Sequence, residues 1–354
     1  MRRNLRALPK AHLHLHFTGS LTPATLRKLA GTQGIRLPES LTDNVALRVP
    51  ASERGWFRFQ RSYDAARQVV RTEATMRLIV REAARNDRAD GSRRLEIQID
   101  PTSYAPFVGG ITPALEIVLD EARAVSRSLG ISIGVIVAAS RTHHPLDART
   151  LARLAVRYAG DQPGQVVGFG LSNDERRGNS ADWAPAFAIA RRGGLKLVPH
   201  AGELRGPAHI RQVLDTLHPD RLGHGVRAAE GPALLRRIVD EGVALEVCPA
   251  SNVSLGVYAD VTRVPLRTLY DAGAQIALGA DDPLLFLARL TRQYELVRDE
   301  LGFSDAELAD LARQSIAASF APESEKRTWI GEVDAWLATA PADTYPPHPA
   351  AARF

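Results

Sequence analysis

Eight short apolar runs recur along the chain, and segments with helical periodicity separate most of them. The first run is the segment 11–20, in which histidines alternate with apolar residues, a pattern typical of a β-strand. The other seven are Leu95–Ile99, Ile131–Ala138, Val166–Leu171, Leu195–Pro199, Arg221–Gly225, Ala244–Cys248 and Gln275–Leu278. Strands that alternate with helices indicate a parallel sheet, and eight of them close most economically into a barrel. The sequence therefore predicts an α/β fold, a (β/α)8 barrel of the TIM type.

Helical periodicity fills most of the remaining chain. Between or after the strands it covers Pro113–Leu129, Asp147–Tyr158, Ala181–Arg192, Ala208–Leu217, Pro232–Glu241 and Leu284–Glu300. Further helices are predicted over Thr22–Gly34, over 61–88 with one break, from a capping box at Ser304 to about Phe320, and over Glu323–Ala338. We expect these extra helices over the barrel mouth and at the C-terminus.

Residues 35–60 carry prolines and no clear period, and they are predicted to be irregular and to cover the barrel mouth together with the helix that follows. The aromatic residues Trp56, Phe57, Phe59 and Tyr63 are interpreted as a small satellite core rather than as a lid. No linker divides the chain, so residues 1–340 are expected to form one domain. The Pro/Ala-rich tail 341–354 is expected to be frayed.

Composition restricts the class of protein. The 354 residues are 45% hydrophobic, and the net charge is +5. The basic residues are mostly arginines dispersed among acidic residues, which argues against a nucleic-acid partner. No run is long and apolar enough for a membrane span, and no signal peptide is evident. The single cysteine, Cys248, fits a reducing compartment, so a cytoplasmic location is expected. A homo-oligomer is possible but not indicated.

Polar residues follow several of the predicted strands, at the face where barrel enzymes place their reactive groups. In a strand, His14 and His16 would project to one side, about 6.6 Å apart. His200 and Glu203 follow the fifth predicted strand, His224 lies at the end of the sixth, and Asp281 and Asp282 follow the eighth. Three imidazoles and one of these aspartates would form a site for a single zinc ion.

These segments resemble the adenosine deaminase family of the amidohydrolase superfamily. The similarity rests on His14-Leu15-His16, His200-Ala201-Gly202-Glu203, Gly223-His224-Gly225 and Asp281-Asp282-Pro283, in that order. The resemblance implies that His14, His16, His200 and Asp281 bind one Zn²⁺ per chain, which activates water for attack on C6 of a purine ring. It also implies that Glu203 protonates N1, that His224 orients and deprotonates the water, and that Asp282 hydrogen-bonds N7 while ammonia leaves.

Other zinc enzymes fit the sequence less well. Binuclear amidohydrolases commonly need a lysine at the end of the fourth strand, and Val166–Asn173 contains none. Cytidine-type deaminases need paired cysteines, which a single Cys248 cannot supply. His12 is expected on the same strand face as His14 and His16, but the family usually has glutamate there, so it is assigned no metal bond. An inactive nucleoside-binding protein is the least favoured alternative, since every ligand position and Glu203 are retained.

Two departures from the family pattern concern the substrate. His16, Thr18, Asn173 and Asp282 are expected to contact it. Family members usually carry an aspartate for the ribose 5′-hydroxyl where this chain has Thr18, and often a glycine where it has Asn173. The loss of that aspartate favours a 5′-substituted adenine nucleoside such as 6-amino-6-deoxyfutalosine of menaquinone biosynthesis. Candidate partners for its carboxylate are Arg141, Arg176, Arg177 and Arg205. Adenosine or 2′-deoxyadenosine is the alternative.

Overall fold

The computed structural model describes residues 2–340, and its centre is an eight-stranded parallel sheet. The strands are β1 (Lys10–His16), β2 (Ser92–Ile99), β3 (Ser132–Ser140), β4 (Val166–Ser172), β5 (Lys196–Ala201), β6 (Arg221–His224), β7 (Ala244–Val247) and β8 (Ile276–Leu278). Each strand pairs in parallel with the next one along the chain. The predicted (β/α)8 barrel is confirmed, and the ends of the seven later strands differ from the prediction by no more than three residues.

The seam between the last strand and the first depends on a single residue beyond β8. Asp281 forms a parallel bridge with Leu15. Its amide donates to the His14 carbonyl at 3.0 Å, and its own carbonyl accepts from the His16 amide at 3.0 Å. The backbone of Asp281 therefore closes the barrel on the side where the polar residues of β1 end.

Helices surround the barrel. They are α1 (Pro23–Gln33), α2 (Glu39–Thr42), α3 (Glu53–Arg67), α4 (Glu73–Ala89), α5 (Ala105–Val108), α6 (Ile111–Leu129), α7 (Pro145–Val156), α8 (Ala184–Arg192), α9 (Pro207–Leu217), α10 (Pro232–Asp240), α11 (Pro249–Ser254), α12 (Leu266–Asp271), α13 (Pro283–Phe286), α14 (Leu290–Leu301), α15 (Asp305–Ala318) and α16 (Glu323–Ala338). None of the helices within residues 2–340 combines the length and the apolar character needed to cross a bilayer.

The helices differ from the prediction in two places. The segment 35–60 is not wholly irregular, because α3 begins inside it, where the Ser52 hydroxyl accepts from the Gly55 amide and caps the helix. The predicted helix Leu284–Glu300 is two helices, since Leu287 adopts a left-handed conformation with φ of +50°. The break within 61–88 is confirmed at residues 68–72 between α3 and α4, and the capping box of Ser304 and Glu307 is also confirmed.

The barrel interior below the polar end contains a chain of buried ion pairs. Arg221 donates from Nε to Glu246 and from a terminal nitrogen to Glu96, both at 2.6 Å, and Arg94 pairs with Glu96 at 3.1 Å. All four side chains are at most 1% exposed. Phe320, which follows α15, lies 3.6 Å beneath the Arg221 guanidinium. Buried charges require partners of this kind, because an unpaired one would be strongly destabilising.

Candidate active site

A cavity opens at the carboxyl ends of the strands. It encloses about 770 Å³, its mouth included, which is the size of a small-molecule site. Residues from β1 to β6, the turn after β8 and helix α3 line it. The predicted site residues among them are His16, Asn173, His200, Glu203, His224, Asp281 and Asp282.

Three histidines point their ring nitrogens toward one another at the base of this cavity. Potential ligand atoms of His14, His16 and His200 all lie within 4.8 Å of one another. The Nε2 atoms of His14 and His200 are 3.2 Å apart. A carboxylate oxygen of Asp281 lies 3.1 Å from His16 Nε2 and 3.4 Å from His14 Nε2. The four side chains predicted as metal ligands are thus brought together.

Hydrogen bonds on the far side of two rings determine which nitrogen faces the cluster. The Nδ1 of His14 lies 2.7 Å from Glu246, and the Nδ1 of His200 lies 2.9 Å from the Leu171 carbonyl. Because a carboxylate and a carbonyl only accept, both Nδ1 atoms carry the proton. Each Nε2 then presents a lone pair to the cluster, as a metal ligand must. Glu246 is itself held by Arg221, so the ion-pair chain of the barrel interior reaches His14.

The cluster fits a bound cation. Two Nε2 lone pairs at 3.2 Å repel each other unless a positive charge lies between them. Burial lowers the pKa of His14, but its hydrogen bonds to Asp281 and Glu246 outweigh this effect and raise the pKa to about 10, so without a metal ion a proton on Nε2 would take the place of the cation. The surrounding carboxylates therefore favour positive charge at this point. Three imidazole nitrogens and one carboxylate oxygen are a donor set for a first-row transition metal or zinc rather than for Ca²⁺ or Mg²⁺.

Glu203 lies beside this cluster on the loop between β5 and α9. Its carboxylate is 3.6 Å from His224 Nε2, and its Oε1 has no hydrogen-bond partner within residues 2–340. Burial, followed by the nearby Asp281, raises the pKa of Glu203 well above its usual range. Burial lowers the pKa of His224 to about 3. Burial therefore favours the protonated Glu203 carboxyl, which can donate, beside a neutral His224 imidazole, which can accept.

Glu175 fixes the loop that carries Glu203. Its carboxylate accepts three backbone hydrogen bonds, from the amides of Glu203 at 3.0 Å, Leu204 at 3.1 Å and Arg205 at 2.9 Å. Glu175 is 1% exposed, so these contacts are shielded from water. Glu175 could not be identified from the sequence, since a carboxylate that binds a distant loop has no local pattern.

Asp282 faces the cavity next to Asp281. Its Oδ1 has no partner within the described chain, and burial raises its pKa to about 7. Gly19 lies against this carboxylate so closely that a Cβ at position 19 would overlap Oδ1. Because Gly19 has no side chain, the Asp282 carboxylate has room to lie against it.

Two residues that were predicted to contact the substrate lie outside the cavity lining. The Thr18 side chain is fully buried outside the cavity lining, and its hydroxyl is hydrogen-bonded to the Tyr104 hydroxyl at 2.7 Å. Arg141 is also buried outside the lining, where it donates to the His200 carbonyl and the Ser180 hydroxyl. Each side chain is already hydrogen-bonded to a neighbour, so contact of Thr18 or Arg141 with a substrate stays a prediction from the sequence.

The other arginines proposed for a substrate carboxylate also lie outside the cavity lining. Arg176 is paired with Asp174 at 2.8 Å, and Arg177 and Arg205 are exposed. Asn173, by contrast, does line the cavity. Its φ of +78° is a conformation that asparagine tolerates better than most residues. The backbone at position 173 therefore accepts asparagine in place of the glycine that family members often have.

The prediction that His12 shares a face with His14 was wrong. His12 pairs with Leu95 and Leu15 pairs with Ile97, so β1 contains one extra residue opposite β2. Such a bulge interrupts the alternation of side chains. His12 contacts Asp87 of α4 at 2.8 Å, and its Nε2 accepts from the Ala280 amide at 3.0 Å. It thereby supports the backbone next to Asp281, in agreement with the absence of an assigned metal bond.

Helix α3 forms one wall of the cavity, whereas its aromatic residues were predicted to form a satellite core. Trp56, Phe59 and Tyr63 line the cavity, and Phe57 is 61% exposed, so they do not form a separate satellite core. Arg67, one turn further, lines it as well. These residues are spaced three or four positions apart, as on one face of a helix. This helical pattern was not recognised because prolines precede it in the sequence.

Gln98, Ser103 and Tyr104 also line the cavity and were not identified from the sequence. Gln98 lies at the carboxyl end of β2, and the other two follow it. The end of β2 carries no histidine or paired carboxylates, so only its position at the carboxyl end of a barrel strand could have indicated a role.

A (β/α)8 barrel with a histidine–aspartate cluster at the carboxyl ends of β1, β5 and β8 defines the class of the metal-dependent amidohydrolases. The sequence profile of the adenosine deaminase family matches residues 9–336. A Streptomyces coelicolor protein with the provisional name adenosine/adenine deaminase is 60% identical over 341 residues, which are 95% of this chain and 98% of that protein. The chain belongs to the adenosine deaminase family, and it is a hydrolase of C–N bonds.

Two further relatives agree with this assignment. An adenine deaminase from Agrobacterium fabrum is 35% identical over 327 residues, which cover 92% of this chain and 98% of that relative. The crystal structure of an adenine deaminase from Arthrobacter aurescens superimposes with a TM-score of 0.86 at 29% identity, over 94% of this chain and all of that one. The resemblance stated from the sequence motifs is thereby confirmed at the level of the family.

Proposed function

We propose that the chain removes the 6-amino group of an adenine ring by hydrolysis, with one Zn²⁺ held by His14, His16, His200 and Asp281. The observation that carries this proposal is the convergence of three histidine rings and Asp281 at the base of a cavity that Glu203 also lines. Zinc suits this nitrogen-rich donor set. Its role, when bound, is to polarise a water molecule and lower the pKa of that water.

The chain's own residues supply the proton transfers. Glu203, whose pKa burial raises, donates a proton to N1 as C6 becomes tetrahedral. His224, a neutral ring beside Glu203, accepts a proton from the attacking water and passes it to the amino group, which leaves as ammonia when the C6–N bond breaks. The remaining proton of the attacking water restores the Glu203 carboxyl as the C6 carbonyl forms. Asp282 forms a hydrogen bond with N7 from the opposite side of the ring. A correctly placed acid or base of this kind typically contributes about 10²–10⁴-fold to the rate.

The first candidate substrates are adenine and adenosine. The relatives named for these substrates support both of them. Thr18 replaces the aspartate that usually binds the ribose 5′-hydroxyl and lies outside the cavity lining, which favours adenine over adenosine. The cytoplasmic location and the absence of a nucleic-acid partner stay predictions from composition.

A 5′-extended adenine nucleoside such as 6-amino-6-deoxyfutalosine is the second candidate. The four arginines predicted to bind its carboxylate lie outside the cavity lining, but Arg67 on α3 lines it. The ratio of kcat/KM for adenine, adenosine and aminodeoxyfutalosine on purified protein distinguishes the candidates. At least a tenfold preference for the extended nucleoside would replace the first candidates with the second.

The deaminase mechanism predicts a specific effect of Glu203→Gln. The amide keeps the size of the side chain but cannot supply the proton, so we expect kcat to fall by about 10²–10⁴-fold with zinc content unchanged. Ammonia release and metal analysis of both proteins provide the measurement.

Glu241→Gln at an exposed ion pair with Arg237 is the matched control and should retain full activity. Equal ammonia release by wild type and Glu203→Gln would remove Glu203 from the mechanism. A zinc-loaded wild type that binds nucleosides but releases no ammonia from any substrate would favour the inactive binding protein.

A further inference from the structure

Gln98 is a cavity residue to which the proposed mechanism gives no role. It is 1% exposed, it lies at the penultimate position of β2, and it lines the cavity. Within residues 2–340, neither its Oε1 nor its Nε2 has a hydrogen-bond partner. A buried amide without partners is destabilising, and such groups are rare unless a water or a ligand satisfies them.

The neighbouring polar side chains on this part of the cavity wall are already engaged. Arg67 donates to the Ser103 hydroxyl at 2.8 Å, and the Tyr104 hydroxyl is bonded to Thr18. Asn173 accepts from the Asp174 amide at 2.8 Å. The side chain of Gln98 therefore offers both a donor and an acceptor to a molecule in the cavity.

The order of strands around the barrel indicates which part of the substrate Gln98 meets. This step rests on the proposed function, in which C6 lies at the metal, N1 faces Glu203 after β5 and N7 faces Asp282 after β8. Around the purine ring, N3 and N9 lie between these two edges on the side away from C6. Around the barrel, β4, β3 and β2 lie between β5 and the β8–β1 seam. Gln98 on β2 pairs in register with His16 on β1, which places it nearest to N9.

We propose that Gln98 is a specificity-determining residue that reads the N3/N9 edge of the free base adenine. Its Oε1 accepts the N9–H hydrogen bond, and its Nε2 donates to N3. A glutamine side chain matches such an adjacent donor and acceptor with two bonds, as it does on the other edge of adenine in DNA. A nucleoside carries the sugar on N9 and cannot donate, so it leaves the buried Oε1 unpaired and is disfavoured.

The test compares adenine with 9-methyladenine, which lacks the N9 proton but adds little bulk. We expect the wild type to prefer adenine by at least about tenfold in kcat/KM, the effect of one buried hydrogen bond. In Gln98→Leu, we expect kcat/KM for adenine to fall by roughly 10- to 10²-fold and that for 9-methyladenine to change much less. Zinc content and the melting temperature are measured on the same samples.

Gln162→Leu, at an exposed glutamine of the loop before β4, is the matched control and should leave both substrates unaffected. Equal losses for adenine and 9-methyladenine in Gln98→Leu would overturn the inference, and so would a loss confined to adenosine, which would mean that the amide reads the sugar. If the wild type deaminates none of these compounds, the proposed function fails, which is a distinguishable result.

Product binding to the wild type keeps the inference testable if Gln98→Leu does not fold. Hypoxanthine also carries the N9 proton, and 9-methylhypoxanthine does not. At least a tenfold tighter dissociation constant for hypoxanthine, measured by calorimetry on the zinc enzyme, supports the inference, and equal constants overturn it.

Discussion

Three residues other than glycine adopt a left-handed backbone at the cavity. They are Asn173, His224 and Asp281, with φ of +78°, +68° and +61°. Such conformations are unfavourable for side chains with a Cβ, and they persist only where the surrounding contacts enforce them. Asp281 is held on both sides by hydrogen bonds to β1, and its carboxylate also accepts from Ser251 at 2.6 Å. The backbone strain is thus concentrated where the functional side chains must leave the strands and turn into the cavity.

Gly19 provides a test of how closely Asp282 must be placed. In Gly19→Ala the new Cβ would overlap the Asp282 carboxylate, so we expect the carboxylate to move and kcat/KM to fall by about 10²-fold. Steady-state kinetics with zinc analysis measure the effect. The control is Gly31→Ala in α1, where a Cβ meets no atom within 4 Å. A Gly19→Ala enzyme with the activity of the wild type would contradict a positioned Asp282.

At the scale of single elements, the bulge in β1 and the loop after β5 both place site residues. Alternation in the histidine segment predicted the strand and the proximity of His14 and His16. It could not predict that an extra residue turns His12 toward Asp87, since a bulge depends on the register with β2 and not on β1 alone. The hydrogen bonds of Thr18 to Tyr104 and of Arg141 to Ser180 could not be predicted for a related reason: the partners are close in space but distant in the sequence.

The loop that carries Glu203 should depend on Glu175. Glu175→Ala removes the acceptor of three backbone amides, so we expect the loop to loosen and kcat to fall by about 10²-fold while zinc stays bound. Rapid kinetics and metal analysis report on the two properties separately. Glu241→Ala, on an exposed helix end, serves as the comparison. Loss of zinc in parallel with activity would mean that Glu175 supports the metal site rather than the acid.

At the scale of the whole molecule, the alternation of apolar runs and helical periods was enough to predict the barrel and the face that carries the site. The buried ion pairs among Arg94, Glu96, Arg221 and Glu246 could not be predicted, because in the sequence they resemble solvated charges. The cavity wall from α3 was missed because its position depends on how that helix crosses the barrel mouth. Periodicity reports which face of an element is buried, but not what it is buried against.

Lys10, at the start of β1, should make stability depend on pH. Its ammonium is fully buried and donates to the carbonyls of Leu5 and Leu8, and burial lowers its pKa to about 7. Between about pH 7 and 10, the unfolded chain binds this proton and the folded chain does not. Stability should therefore rise with pH over this window, by at most about 1.4 kcal/mol per pH unit.

The comparison of Lys10→Met with the wild type isolates this effect from other titrating groups. Melting curves at several pH values should show the difference in stability between the two proteins shifting in favour of the wild type as pH rises. The exposed Lys28→Met should show no such trend. Parallel curves for Lys10→Met and wild type would contradict a neutral buried lysine.

Asp281 contributes both to the closure of the barrel and to the candidate metal site. The backbone of this residue joins the last strand to the first, while its side chain faces His14 and His16. If the metal ion is removed by a chelator, the Asp281 carboxylate and the neighbouring histidines can rearrange. The three-residue strand β8, which precedes Asp281, would then lose part of its support. We expect deuterium uptake at the amides of His16 and Asp281 to increase on metal removal before uptake at the β2–β3 pairing does. Loss of the ion would then open the barrel locally, along the junction between β8 and β1.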